Sequence, residues 1–312
     1  DDPIDQAIAA SELMAMVGEF EKPKFFTYNE KVCAQGRNGQ VGCTACVDVC
    51  STAAIQSQFR DGKGIVKVNP NLCMGCGACA TVCPSGAMRY NYPSVSYQGQ
   101  QIKSMVKAYQ AAGAKSAPSL LLHGHETGQE LIQAVGRLAV TQSNQFKGVP
   151  AHVIPFALHH SASTGIDFWL GCLAHGYGQV AILLSGEEAP EYQQALMQQV
   201  NLTQSILHGL GYDKNGVVLL QADDPKSLQA TISNLSVRAA ICPSATFAFA
   251  LEKRETLEAA LEHLMKHAPH QVTADQPLML AASSPIGAVH VNQDACTLCM
   301  SCVLNTGLLL EE

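Results

Sequence analysis

The chain has 312 residues, 47% of them hydrophobic and only 14% charged, with a formal net charge of −7. That is enough apolar material for two or three domains with real cores. Nucleic acid is a poor partner, because no basic run or stripe is present to neutralise phosphates, and no apolar stretch reaches the roughly 18–20 residues that cross a bilayer.

Residues 1–23 read as a short helical segment. The chain opens on Asp1, without Met or a signal-like leader, so it is expected to be a fragment or a processed product. Beyond this segment, cysteine dominates the pattern. Eleven of the thirteen cysteines fall in three tight clusters, and Cys172 and Cys242 stand alone. A secreted disulfide scaffold spreads its cysteines through a short chain; C-x2-C clusters in a long chain read as metal or iron–sulfur ligands in a reducing compartment, here the cytoplasm.

The first two clusters are copies of one unit. Residues 28–55 read YNEKVCAQGRNGQVGCTACVDVCSTAAI and residues 68–88 read VNPNLCMGCGACATVCPSGAM. Cys43, Cys46 and Cys50 align with Cys76, Cys79 and Cys83. Cys33 aligns with Cys73 once seven extra residues around Gly36 to Gly42 are allowed. The second copy is thus C-x2-C-x2-C-x3-C-P, and the first is the same motif with an expanded loop and Ser51 in place of the proline. A [4Fe–4S] cube needs four thiolates; one loop wraps three, and in two-cluster ferredoxins the fourth cysteine points to the other cluster. The expected sets are therefore Cys33, Cys43, Cys46 and Cys83 for one cluster, and Cys73, Cys76, Cys79 and Cys50 for the other. Gly75, Gly77, Ala78, Thr44 and Ala45 would let backbone N–H groups approach the sulfides. Met74, Val47, Val82, Ile55 and Met88 would exclude water. C-x2-C pairs also build zinc sites, which remains the competing reading.

On these motifs residues 24–97 resemble a bacterial two-[4Fe–4S] ferredoxin, and the whole is similar to multi-domain polyferredoxin-like proteins. The resemblance implies electron transfer with redox protein partners such as dehydrogenase or hydrogenase subunits.

Residues 98–117 read as a helical linker, and residues 118–276 as an α/β domain. Apolar runs at 119–124, 152–158, 179–185 and 216–222 alternate with amphipathic stretches, which predicts a parallel sheet with Rossmann- or flavodoxin-like winding and about four βα units. In the second unit Ile166, Trp169, Leu170 and Leu173 share one helical face. A last helix is expected over 252–267. No G-x-G-x-x-G or P-loop follows a strand, so a nucleotide or flavin site is the lesser alternative. His123, His125, His159 and His160 read as structural, and no catalytic constellation is visible. Cys172 and Cys242 read as buried structural thiols. Residues 150–224, with GIDFWLGCLAHGYGQVAILL and LTQSILHGLGYDKNGVVLL, resemble the delta subunit of methyl-viologen-reducing hydrogenases. Because that family's usual cysteines are absent, the resemblance implies a fold and partner docking, not another cluster.

Residues 277–312 hold a third motif. "VHVNQDAC" aligns with "VKVNPNLC", and Cys296, Cys299 and Cys302 match Cys73, Cys76 and Cys79. The fourth cysteine and its proline are missing, so a truncated second ferredoxin domain with at most an incomplete or labile third cluster is expected. The fold class predicted is α/β plus α+β, and the function an electron relay through two [4Fe–4S] clusters. A redox-sensing or scaffold module with structural clusters is the remaining rival.

Overall fold

A computed structural model describes residues 2–19, 21–35, 42–60, 63–273, 277–281, 284–287 and 292–298. The chain forms two compact units, Asp1–Leu278 and Met279–Glu312. Among the described residues no helix is long and apolar enough to cross a membrane.

The first helix, α1 (Pro3–Ala15), starts where the Asp2 carboxylate accepts a hydrogen bond from the Ile4 amide at 2.8 Å, with Pro3 at the first helical position. It buries none of its residues. The cysteine-rich segment then folds as two similar halves. One is β1 (Phe26–Tyr28), α2 (Ala45–Asp48) and β2 (Ile55–Arg60); the other is β3 (Lys63–Val68), α3 (Ala78–Val82) and β4 (Met88–Tyr90). Strands β2 and β3 form an antiparallel hairpin with Ile55 opposite Val68, while β1 pairs antiparallel with β4, Tyr28 opposite Met88. The ladders thus tie the start of the segment to its end, and α2 packs against α3 between them.

Next comes α4 (Val95–Ala111), three residues earlier than the expected linker helix, because the Ser94 hydroxyl accepts from the Tyr97 amide and caps it. The α/β part continues as β5 (Ser119–Gly124), α5 (Thr127–Thr141), β6 (Val153–Leu158), α6 (Ile166–Ala174), β7 (Gln179–Leu184), α7 (Pro190–Gly209), β8 (Val217–Gln221), α8 (Pro225–Ser233) and α9 (Lys253–Lys266). All four strands are parallel, in the order β6-β5-β7-β8. The central strands β5 and β7 are buried along their whole length, as continuous apolar runs covered on both faces require.

Two expectations are corrected here. Helix α6 has no solvent face: every residue from Ile166 to Ala174 is buried, Asp167 included, because sheet strand β7 and helices α4, α7 and α9 all pack on it. Cys172 lies inside it, as a structural thiol should. Cys242 is exposed instead of buried. The chain from Leu235 to Glu252 is irregular, α9 begins only at Lys253, and of this stretch Leu235 and Phe249 reach the core.

In this sheet order, the chain leaves β5 and β7 in opposite directions, and the crevice at their C-terminal ends is where such folds hold ligands. The cysteine-rich segment occupies that edge. Thr81 Oγ1 donates to the Ala162 carbonyl at 2.7 Å, the Lys253 ammonium donates to the carbonyls of Ala80 and Thr81, and the Phe25 ring stacks on His159 with centroids 5.2 Å apart.

Candidate functional site

The eight cysteines of the first two motifs gather into two groups, and each group draws on both halves of the segment. Cys33 follows a 3-10 turn capped by Asn29, Cys46 lies in α2, and Cys83 follows α3. The Cys46 thiol is pushed up to about 12, first by burial and then by the neighbouring Cys83, Cys43 and Cys33. Cys76 and Cys79 are likewise raised, chiefly by burial, with Cys50 and Cys73 as their common neighbours. Cys50, Cys73, Cys76 and Cys79 line one cavity together with Phe25, Gly75, Gly77, Tyr90 and Tyr192. Cys79 also feels Cys46 of the other group, so the groups stand side by side.

Half-buried thiols crowded together, with Cys46, Cys76 and Cys79 held from ionising by burial and by their neighbours, are a poor arrangement for bare protein. They suit an iron–sulfur core, whose cationic irons take the sulfurs as thiolates. The surrounding backbone fits the same group. Gly75 and Gly77 hold φ of +75° and +78°; a Cβ at Gly75 would meet the Phe25 ring at 2.5 Å, and one at Gly77 would meet Ser163 Cα at 2.6 Å. The Met88 amide donates to Cys83 Sγ at 3.4 Å, and the Tyr90 hydroxyl pins the Gly75 carbonyl at 3.0 Å. Among the described residues no three His, Cys, Asp or Glu side chains converge tightly enough for one ion.

Residues 41–87 match the family model of a 4Fe-4S dicluster domain. This stretch is a ferredoxin-like iron–sulfur domain. The match takes in Cys43, Cys46, Cys50, Cys73, Cys76, Cys79 and Cys83 and begins after Cys33. No curated protein matches the chain.

The apolar wall of the dicluster domain differs in part from expectation. Ile55 and Met88 are buried, but Met74 is 67% exposed. It still lines the rim of the cavity, while Phe25 and Val49 are the buried apolar residues of that wall. Of the third motif, Cys296 is exposed, and Cys299 and Cys302 lie outside the described residues. The histidines hold backbone contacts: His123 Nδ1 lies 2.9 Å from the Gly124 carbonyl and His125 Nδ1 lies 2.7 Å from the His159 carbonyl.

Sequence reasoning missed the contribution of the α/β part to this site. Tyr192, in the first turn of α7, meets Ser51 through their hydroxyls, and Ser163 packs on Gly77. The only trace in the sequence is Ser51 itself, where the second copy has Pro84. Glu188 accepts hydrogen bonds from the Ser161 hydroxyl at 2.7 Å and from the Ser185 and Gly186 amides at 3.0 and 3.1 Å. A carboxylate on the amides that would otherwise receive a phosphate disfavours a nucleotide there.

Proposed function

We propose that the chain relays single electrons between redox partner proteins, dehydrogenase or hydrogenase subunits, through two [4Fe–4S] clusters. One is held by Cys33, Cys43, Cys46 and Cys83, the other by Cys50, Cys73, Cys76 and Cys79. When bound, the clusters supply reversible one-electron chemistry. The chain ligates them, keeps water away and holds the two sites adjacent. The observation that carries the reading is the crossing of the thiols: Cys83 of the second motif lies among those of the first, and Cys50 of the first lines the cavity of the second. Leu72 and Met74, 49% and 67% exposed on either side of Cys73, support access for a partner at the second site. Thiolate ligation of this kind also favours a reducing, cytoplasmic setting.

The test is anaerobic purification with iron and sulfide counts on wild type and Cys83→Ala. Two cubes predict about eight irons per chain, and the variant about four, with the couple belonging to the first set lost. Zinc without iron or sulfide, or a full iron complement in the variant, would overturn the assignment.

A further inference from the structure

We propose that Tyr192, a residue of the α/β part, sets the reduction potential of the second site by donating a hydrogen bond to the Cys76 sulfur, with Ser51 orienting its hydroxyl. The inference rests on reading Cys50, Cys73, Cys76 and Cys79 as cluster ligands.

Tyr192 is anchored at the start of α7, its amide bonded to the Ala189 carbonyl at 2.9 Å. Its side chain is 5% exposed and lines the cavity with the four cysteines. The His160 ring sits edge-on to it, centroids 5.4 Å apart at 86°, which fixes the plane of the phenol. The hydroxyl meets Ser51 Oγ, 141 residues away in sequence, at the wall of the cavity that Tyr192 shares with Cys76. A thiolate ligand can only accept a hydrogen bond. One arrangement therefore serves all three groups: the Ser51 hydroxyl donates to Tyr192 Oη, and the Tyr192 hydroxyl donates to Cys76 Sγ.

This gives a use to Ser51. A proline at this position, as in the second copy, has no hydroxyl to offer. The first set has a tyrosine of its own, because Tyr28 packs in the same apolar cluster as Cys33 and comes from the cysteine-rich segment itself. At the second set the donor arrives from a different part of the chain.

A hydrogen bond to a sulfur ligand favours the more negative, reduced state and so raises the potential. Potentiometric titration followed by EPR on the anaerobically purified full chain tests this. Wild type should show two one-electron couples. Tyr192→Phe should make one couple more negative by about tenfold in the reduced-to-oxidised ratio, or ~59 mV, and leave the other in place at full iron content. Ser51→Ala should move the same couple in the same direction by less. Two unshifted couples in an iron-replete Tyr192→Phe protein would overturn the proposal and leave the relay standing. If that variant sheds iron, Ser51→Ala, which keeps the ring, decides: an unshifted couple there overturns it. Wild type without redox couples would remove the reading of the cysteines first.

Discussion

Replacing Lys253 by Met should cost the protein about 3 kcal/mol, roughly half of it through Asp167. The Lys253 ammonium, 13% exposed, lies 3.9 Å from Asp167 Oδ1, whose side chain is 6% exposed, and donates to the Ala80 carbonyl at 3.0 Å and to that of Thr81. Met keeps the length of the side chain and removes the charge and all three contacts. Breaking a buried pair by deleting one partner costs about 3–5 kcal/mol, and protonation of the survivor reduces this. Burial already raises the Asp167 pKa, and Lys253 opposes the rise. Without Lys253 the folded value climbs further above its unfolded counterpart near 3.8. A carboxyl raised in the folded state binds its proton more tightly there, so stability falls as pH climbs from the unfolded towards the folded pKa and stays low above it. The deficit should therefore be largest at neutral and alkaline pH and shrink on acidification. The assay is urea unfolding followed by the fluorescence of Trp169, the chain's single tryptophan, fully buried two residues from Asp167. In an Asp167→Asn background the same Lys253→Met change should cost only about 1–2 kcal/mol, for the carbonyl contacts alone. A Lys253→Met cost below about 1 kcal/mol, or one independent of both pH and the Asn background, would refute this account of the pair.

Two further substitutions probe the same seam. Thr81→Val keeps the shape of a buried side chain but removes its bond to the Ala162 carbonyl, at an expected cost of about 1–3 kcal/mol; tryptic cleavage between the two parts should accelerate, and unchanged resistance would count against the contact. Gly77→Ala forces a left-handed residue, about 1–2 kcal/mol, and drives its methyl into Ser163. Iron retention under dilution should drop in that variant, while Gly113→Ala, where a Cβ meets nothing within 4 Å, carries only the left-handed penalty and should retain its iron.

The four strands could be read because each is a short apolar run between turn residues, and their observed ends fall within about one residue of those runs. The helices between them followed from the requirement that a buried parallel sheet be covered on both faces. The features that could not be read depend on partners distant in sequence. Helix α6 carries the amphipathic face expected of it, but the pattern does not register that α4 and α9 close over its other side. Met74 is apolar and next to Cys73, yet it lines the cavity from a largely exposed position, which spacing alone does not register. Cys242 follows an apolar run that forms no strand. Around the candidate site the cysteine spacing carried nearly all the information. The contributions of Tyr192, Ser163 and Lys253 come from well over fifty residues downstream, beyond the reach of any local motif.

The seam between the two parts also orders events during synthesis. The second cysteine group is complete once Cys79 has left the ribosome, yet Tyr192, which walls its cavity, lies about a hundred residues later; at roughly 5–20 residues per second that is a delay on the order of 5–20 s. Lys253, which fastens the C-terminal end of α3, comes later still. The nascent chain thus presents its thiols before it can enclose them.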